Sequence, residues 1–253
     1  MTYLQSWFLW LVLTCLLLTA STITFADGNV TVTVVDGNLL VEGDKKSNRI
    51  FIELEPTGTT DTFRIFPRFD STTINGQEDV LVSGVTGGIV VILGKGNDQV
   101  ALEDVFADFI TITTDDGKDV VAFSDARTAG DIHIDTGNGG DLINIDAFTT
   151  IGGNLTAQLG PGADVFFNFG GGGTVVGKTR IEGDSGNDRI ELESQQTFAD
   201  AFHVDLGTGN DTVVVDDAAF QAKVRLERGD GTDTLVLGTD NSFAVPPKII
   251  EFE

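Results

Sequence analysis

The sequence predicts an all-β protein, a parallel β-helix (β-solenoid) of about seven coils, and three observations lead to this fold class. A glycine and an aspartate recur together at intervals of 21 to 24 residues. Apolar residues alternate with other residues on both sides of each recurrence, which is the periodicity of β-strands. One repeat of this size buries too little apolar surface to be stable alone, whereas stacked repeats bury a continuous core.

Each repeat is anchored by an aspartate at a glycine-rich corner. A glycine stands two residues before every anchor, and apolar residues stand two residues after it and seven residues before it. This pattern predicts a short strand, a Gly-x-Asp corner, a second short strand and a loop of variable length. The seven anchors are Asp98, Asp119, Asp141, Asp164, Asp188, Asp211 and Asp233.

The repeats occupy residues 87–238, and the flanking segments depart from their period. Residues 27–86 are β-rich and contain one degenerate copy, in which Asn48 takes the place of the aspartate. We interpret them as an N-terminal β-rich cap, because an open solenoid end exposes unpaired backbone. Residues 239–253 break the pattern at Pro246-Pro247, and we interpret them as a C-terminal cap.

Residues 1–26 differ in kind from the rest of the chain. They carry no Asp, Glu, Lys or Arg, they are apolar from Trp7 onward, and they end in small residues at Ala26. This composition predicts a signal peptide, and hence a secreted or cell-surface protein. Two alternatives stay open. The missing basic residue at the start is compatible with an uncleaved membrane anchor, and Cys15 is compatible with a lipoprotein.

The charge of the chain limits its partners. The formal net charge is −24 and the isoelectric point is about 4.1. Such a surface repels nucleic acid and anionic lipid, and it attracts cations. The sequence after residue 26 contains no cysteine, so an exported domain has to be stable without disulfides.

Stacking gives the seven anchors a reason to bind a cation. Parallel coils place like residues above one another about 5 Å apart, and we call the resulting column the aspartate ladder. Two unit charges at that distance repel by about 1 kcal/mol in water, and by about 3–4 kcal/mol at an effective dielectric near 20. Since calcium takes about six to eight oxygen ligands, we expect it as a cofactor held by the ladder carboxylates. The alternative is a solvated corner, in which each aspartate accepts hydrogen bonds from the amides of its own turn.

The corners "GTGND" and "DSGND" resemble the haemolysin-type, or repeats-in-toxin, calcium motif. In that family the turn carbonyls and the aspartate hold calcium between neighbouring coils. The match is partial, since the first glycine of the motif is present only at Gly183 and the nine-residue period of the family is absent. Across about residues 28–253 the chain also resembles exported bacterial β-strand-repeat proteins. That resemblance implies export and a surface location, without an assigned chemistry.

These features predict an exported, non-catalytic cell-surface or extracellular protein of structural or adhesion type, stabilised by calcium at its stacked corners. Calcium ions, cell-surface polysaccharide or other matrix proteins are the expected partners. No residue is predicted to be catalytic, because no carboxylate pair stands apart from the ladder. The alternative is a β-helical carbohydrate-active enzyme or a polysaccharide-binding module. Its ligand would lie along an outward column that contains His133, Arg180, His203 and Arg225, where we otherwise expect local opposite-charge pairs.

Two local features complete the predictions. Phenylalanines of the variable loops, among them Phe106, Phe148, Phe198 and Phe220, are expected to fill a third side of the core. Asn168 falls where an apolar core residue belongs, so we expect a bulge there or a wider loop in that repeat.

Overall fold

The computed structural model describes residues 28–56, 61–67, 72–146, 148–170 and 172–250. The predicted signal peptide, residues 1–26, lies outside these ranges. The described residues form strands, turns and bends and contain no α-helix, so none of them belongs to a helix that is long and apolar enough to cross a membrane.

The strands, numbered β1 to β32 in chain order, build two large sheets. In the first sheet the strand order is β32 (Lys248–Ile250), β29 (Val224–Glu227), β26 (Phe202–Asp205), β22 (Thr179–Glu182), β18 (Leu155–Gln158), β14 (Ile132–Asp135), β10 (Ile110–Thr113), β7 (Ile89–Ile92), β2 (Asn38–Glu42), β1 (Asn29–Val35) and β5 (Thr73–Ile74). In the second sheet it is β30 (Thr234–Leu237), β27 (Thr212–Asp216), β24 (Arg189–Ser194), β20 (Val165–Gly170), β16 (Leu142–Asp146), β12 (Val120–Ser124), β8 (Gln99–Glu103), β3 (Arg49–Leu54), β4 (Thr62–Phe66) and β6 (Val80–Ser83).

Two further sheets consist of two-residue strands. The third sheet has the order β31 (Ser242–Phe243), β28 (Ala219–Phe220), β25 (Thr197–Phe198), β21 (Thr174–Val175), β17 (Thr150–Ile151), β13 (Arg127–Thr128) and β9 (Phe106–Ala107). The corner sheet has the order β11 (Asp116–Gly117), β15 (Asn138–Gly139), β19 (Pro161–Gly162) and β23 (Ser185–Gly186). The variable loop of each repeat therefore contains a short strand of its own.

Successive coils pair in parallel and in register, which confirms the predicted parallel β-helix. One coil runs from a first-sheet strand through the Gly-x-Asp corner into a second-sheet strand, and then through a third-sheet strand to the next coil. In the first sheet Ile110 pairs with Ile132, and in the second Val121 pairs with Ile143. The alternation of apolar residues places one side chain of every pair of neighbours inside the coil.

The core is a set of stacked apolar columns. In one coil Ile132, Ile134, Ile143, Ile145 and Ile151 all point inward and are buried. Because each column continues from coil to coil, the core extends along the axis of the solenoid.

The third side of the core differs from the prediction for two of the four phenylalanines. Phe198 and Phe220 are buried, and their rings stack with centroids 5.2 Å apart. Phe106 and Phe148 instead lie on the surface, with Phe106 52% exposed. The inward position of each third-sheet strand is its second residue, and Phe106 is the first residue of β9. Phe148 lies in the turn before β17 and is in no third-sheet strand. The prediction that Phe106 and Phe148 fill the core is therefore wrong.

The predicted bulge at Asn168 is also absent. Asn168 pairs in register with Ile145 on one side and Leu192 on the other. Its side chain is buried, and its Nδ2 donates a hydrogen bond to the carbonyl oxygen of Ile145 over 2.9 Å. A side-chain hydrogen bond therefore allows a polar residue to occupy a core column without a break in the strand.

The two ends of the solenoid are built differently. At the N-terminal end β2 and β3 form the first coil, since they pair in parallel with β7 and β8. The strands β1 and β4 then pair antiparallel with β2 and β3 and cover the end of that coil. At the C-terminal end residues 239–250 supply β31 and β32 of the last coil, and no described strand pairs beyond them.

Candidate functional site

The seven aspartates of the ladder point into the solenoid rather than into solvent. Each precedes a second-sheet strand whose inward residues follow two and four positions later, as Val100 and Leu102 follow Asp98. Since side chains alternate along an extended chain, the aspartate lies on the same inward face. All seven are buried, and the most exposed of them is Asp233 at 9%.

One oxygen of each ladder carboxylate joins two coils. Oδ1 accepts a hydrogen bond from the backbone N–H of the residue at the same corner one coil earlier. The donor and acceptor pairs are Asn48 and Asp98 (2.6 Å), Asp98 and Asp119 (2.7 Å), Asp119 and Asp141 (2.8 Å), Asp141 and Asp164 (2.6 Å), Asp164 and Asp188 (2.9 Å), Asp188 and Asp211 (2.7 Å), and Asp211 and Asp233 (2.8 Å). Asn48 therefore begins the ladder, as its place in the degenerate repeat predicts.

The other oxygen of each carboxylate has no hydrogen-bond donor. Oδ2 is buried and without a hydrogen-bond partner in all seven ladder aspartates. The hydroxyl groups of Thr114 and Thr136 lie at the same corner and lower the pKa of Asp119 and Asp141, although they donate to the carbonyl oxygens of Thr136 and Leu159. Within the described residues only Asp233, in the last coil, has a nearby cation, with Nε of Arg228 at 3.3 Å from its Oδ2. A buried carboxylate in this state is costly unless a proton or a cation neutralises it.

Burial raises the pKa of the ladder carboxyls from Asp98 to Asp211. Desolvation is the main cause, and it raises the pKa of Asp98, Asp119, Asp164 and Asp188 to about 7 and that of Asp141 to about 6. The pKa of Asp211 is raised for the same reason. The hydrogen bond from the preceding coil opposes this shift in each case, but burial is the larger effect. Neutral and ionised forms of the ladder therefore both occur near neutral pH.

The solvated-corner alternative is wrong on two points. The carboxylates are buried, so water does not screen them. Their hydrogen bonds come from the neighbouring coil, not from the amides of their own turn. Four of the seven corner glycines have the positive φ that was expected of them, among them Gly209 with a φ of 149°.

The glycine column also allows the corners to stack closely. A Cβ atom added to Gly139 would overlap the carbonyl oxygen of Gly117, and one added to Gly162 would overlap that of Gly139. The backbones of successive corners are thus in contact, which brings each carboxylate to the amide of the coil before it.

The ladder fits a calcium ion by donor chemistry. Each rung presents one buried carboxylate oxygen without a donor, and carboxylate oxygen is a preferred calcium ligand. Within the described ranges no group of three or more His, Cys, Asp or Glu side chains is placed to hold a metal. A calcium ion at the ladder would therefore depend on one or two carboxylates together with backbone carbonyl groups of the corner.

The outward column beside the corner carries a chain of opposite charges. Arg180 forms an ion pair with Glu182, and Arg225 forms one with Glu227. His203 lies between them, with Nδ1 2.7 Å from a guanidinium nitrogen of Arg180 and Nε2 2.7 Å from Oε1 of Glu227. The hydrogen bond that Arg180 donates to Glu182 lowers the pKa of Glu182. The predicted local charge pairs are present at Arg180 and Arg225, whereas His203 binds Glu227 of the next coil. These groups bind one another across three coils.

Two open grooves lie on the outer surface. One of about 500 Å³ runs along the corner and is lined by Asp135, Glu182, Asp184 and Asp205. The other, of about 570 Å³, lies where the first-sheet strands β10 and β14 begin and is lined by Phe109, Asp131 and His133. His133 and His203 occupy the same outward column three coils apart, and the structure does not bring them together.

Comparisons with known proteins add no relative. No family model matches the chain, and neither a curated protein nor a solved structure matches it.

The inward orientation of the ladder was the feature that the sequence analysis missed. The sequence does contain evidence of this orientation. Each aspartate stands an even number of positions, two and four, before inward apolar residues, and residues at even spacing along a strand lie on the same face. Aspartate is common in surface turns, and this preference led to the prediction of a solvent-facing turn position.

Proposed function

We propose that this chain is an exported, non-catalytic structural or adhesion-type protein of the cell surface or extracellular matrix, with calcium at its stacked corners. The aspartate ladder carries the proposal, since the polar residue that recurs in every repeat joins one coil to the next. A buried side chain that links one coil to the next stabilises the fold. A solenoid also presents a long, regular outer surface.

The charges of the outer surface support a structural role. Arg180, Arg225 and His203 are engaged with Glu182 and Glu227. These five groups stabilise adjacent coils, although ion pairs at an exposed surface contribute at most about 1 kcal/mol each. They leave Arg180, His203 and Arg225 without a free charge for an acidic ligand.

Calcium supplies positive charge to a column of carboxylates. The ladder residues would hold it through Oδ2, while Oδ1 keeps its hydrogen bond to the preceding coil. Each bound ion then removes the repulsion between two rungs and raises the stability of the folded state. An exported protein without disulfides gains from such a link.

Calcium titration by calorimetry tests the calcium part of this proposal. The full chain is expected to bind calcium at pH 7.5, and the double variant Asp164→Asn, Asp188→Asn to bind fewer ions. Asp184→Asn, an exposed acid at the same corner, serves as the control and is expected to bind as many ions as the unaltered chain. Equal calcium binding by the ladder variant and the control would contradict the assignment.

Fractionation tests the export part. The chain is expressed with residues 1–26 in a bacterial host, and we expect to find it outside the cytoplasm. Protease added to intact cells or their medium should digest it. Deletion of residues 1–26 should retain it in the cytoplasm. A cytoplasmic location of the complete chain would contradict the proposal.

A second candidate function, polysaccharide binding, is favoured by the groove at Phe109. This phenylalanine is 36% exposed, and its ring lies over Gly88, where any larger side chain would collide with it. Asp131 and His133 line the same groove, and no described residue forms a hydrogen bond or ion pair with the His133 ring. An aromatic face beside polar groups is suited to a sugar ring. Binding to a panel of polysaccharides that is lost in Phe109→Ala, but kept in Phe148→Ala, would favour this function.

A further inference from the structure

The residue five positions before each ladder aspartate lies at the same corner, on the inner side of the carboxyl group, and we call it the facing residue. It has the same backbone position in successive coils, because its N–H donates to the residue just before the next facing residue, as Leu159 does to Glu182 and Gly183 to Asp205. The facing residues are Leu93, Thr114, Thr136, Leu159, Gly183, Leu206 and Arg228. The aspartate column is uniform, whereas the facing column is not.

Six of the seven facing residues bring a side chain to the carboxyl group. Arg228 brings positive charge, with Nε 3.3 Å from Oδ2 of Asp233. The two threonines bring a hydroxyl group, and the three leucines bring a fully buried apolar side chain. At these six rungs the chain itself therefore fills the space next to the carboxylate.

Gly183 is the exception, because it brings no side chain to Asp188. A Cβ atom at Gly183 would lie 2.8 Å from Oδ2 of Asp188, and closer still to the carbonyl oxygen of Leu206 in the next coil. Two oxygen atoms from two coils thus converge on the position where the other rungs have a side chain. Asp188 is 1% exposed, and its Oδ2 has no hydrogen-bond donor. Both atoms carry negative charge, so they repel unless a positive group contacts them.

The groove of about 500 Å³ lies outside this position. The residues on either side of Gly183 and Leu206 line it, and three of these are acidic, namely Glu182, Asp184 and Asp205. Acidic side chains that line a groove raise the local concentration of cations. The outer surface of this corner is therefore suited to deliver a cation to the buried oxygens.

We propose that a calcium ion binds at Gly183, between Oδ2 of Asp188 and the carbonyl oxygen of Leu206, and so links two successive coils. This inference rests on the proposed binding of calcium by the ladder, and it narrows the site to one rung. Calcium accepts carboxylate and carbonyl oxygens together. The ion has at this rung the place that the guanidinium group of Arg228 has beside Asp233. At the leucine rungs an apolar side chain takes that place.

Calorimetric titration of the full chain with calcium alone, at pH 7.5, tests the choice of rung. Asp188→Asn keeps the shape of the side chain and removes its charge, so we expect the number of bound ions to fall by one. Asp211→Asn makes the same change at the next rung, where Leu206 is the facing residue. Its number of bound ions should equal that of the unaltered chain. Gly183→Leu leaves all seven carboxylates in place but closes the space, and it should also lose one ion.

The two asparagine variants decide the question if Gly183→Leu does not fold by circular dichroism. Loss of one ion in both asparagine variants overturns the choice of rung but not calcium binding by the ladder. An unchanged number of ions in Asp188→Asn, or in a folded Gly183→Leu variant, overturns the choice of rung as well. An unaltered chain that binds no calcium overturns the calcium proposal itself.

Discussion

The backbone N–H of Asp188 donates a hydrogen bond to Oδ1 of Asp211, one coil further along the chain, over 2.7 Å. The two residues are 23 positions apart in the sequence. Oδ2 of Asp211 is buried and has no hydrogen-bond partner. Thus the same carboxylate contains one atom that stabilises the stack and one atom that requires neutralisation. Substitutions in the ladder separate these two effects.

Loss of the ladder hydrogen bond should destabilise the fold. In Asp211→Ala the buried amide of Asp188 loses its acceptor, which is expected to lower the free energy of unfolding by about 1–3 kcal/mol. Asp211→Asn keeps a carbonyl oxygen for that amide and removes the charge, so it should lose less. Urea unfolding measures both, and Asp230→Ala, an exposed acid of the next corner, should stay within about 0.5 kcal/mol of the unaltered chain. An alanine variant as stable as the asparagine variant would show that the hydrogen bond contributes nothing.

Stability without calcium should fall as the pH rises toward neutrality. The pKa of Asp98, Asp119, Asp164 and Asp188 is about 7 in the folded chain, well above the usual value of an aspartate. The folded state therefore binds more protons than the unfolded state between about pH 4 and pH 7, so this contribution is complete below the unfolded pKa and is lost as the pH rises through the folded one.

The pKa values of Asp116, Glu182 and Glu227 are lowered and act in the opposite direction, since these contributions are present above the unfolded pKa. These three groups are partly or largely exposed, so we expect the several buried ladder groups to dominate. Urea midpoints in chelator at about pH 4.5 and pH 7.5 measure the net slope. The double variant Asp164→Asn, Asp188→Asn should show a shallower slope. A midpoint that rises with pH in the unaltered chain would refute the argument from burial.

The glycine column should tolerate no side chain where backbones touch. Gly139→Ala places a Cβ against the carbonyl oxygen of Gly117 and should cost about 2–3 kcal/mol or more in the free energy of unfolding. The neighbouring Gly140→Ala is the control, because its Cβ would meet nothing closer than the carbonyl oxygen of Ala163 at 3.5 Å. Thermal midpoints of the two variants should differ clearly, and equal midpoints would mean that the corners have room to separate.

The third side of the core should distinguish buried from exposed phenylalanines. Phe220 packs between Phe198 and Phe243, with ring centroids 5.2 Å and 5.1 Å away. Phe220→Ala is expected to lower stability by about 3–5 kcal/mol. Phe148→Ala removes an exposed ring and should change stability by about 0.5 kcal/mol or less. Similar losses in the two variants would place Phe148 in the core after all.

The fold could be predicted from the sequence because the residues that recur at the repeat period are also the residues that alternate as a core. An apolar residue two positions after each anchor, as at Val121 and Ile143, marks both an inward side chain and a pairing partner. The third side was less predictable. Its strands have two residues each, which is too short for a period, so Phe106 and Ala107 do not reveal which of them points inward.

The residues of the aspartate ladder were predicted from the sequence, but their burial and their hydrogen-bond partners were not. The seven anchors and Asn48 lie in one column, as expected. Their burial depends on the exact path of the corner, and their hydrogen bonds depend on contacts between glycines of different coils, such as Gly117 and Gly139. Neither property follows from the composition of one repeat.

The ladder must be neutralised near neutral pH, and the thermal midpoint of the full chain at pH 7.5 in millimolar calcium and in chelator tests calcium as the neutralising ion most directly. Calcium that binds only the folded state must raise the midpoint. We predict a higher midpoint in calcium, and a smaller increase in the double variant Asp164→Asn, Asp188→Asn. An unchanged midpoint in the unaltered chain would contradict the account.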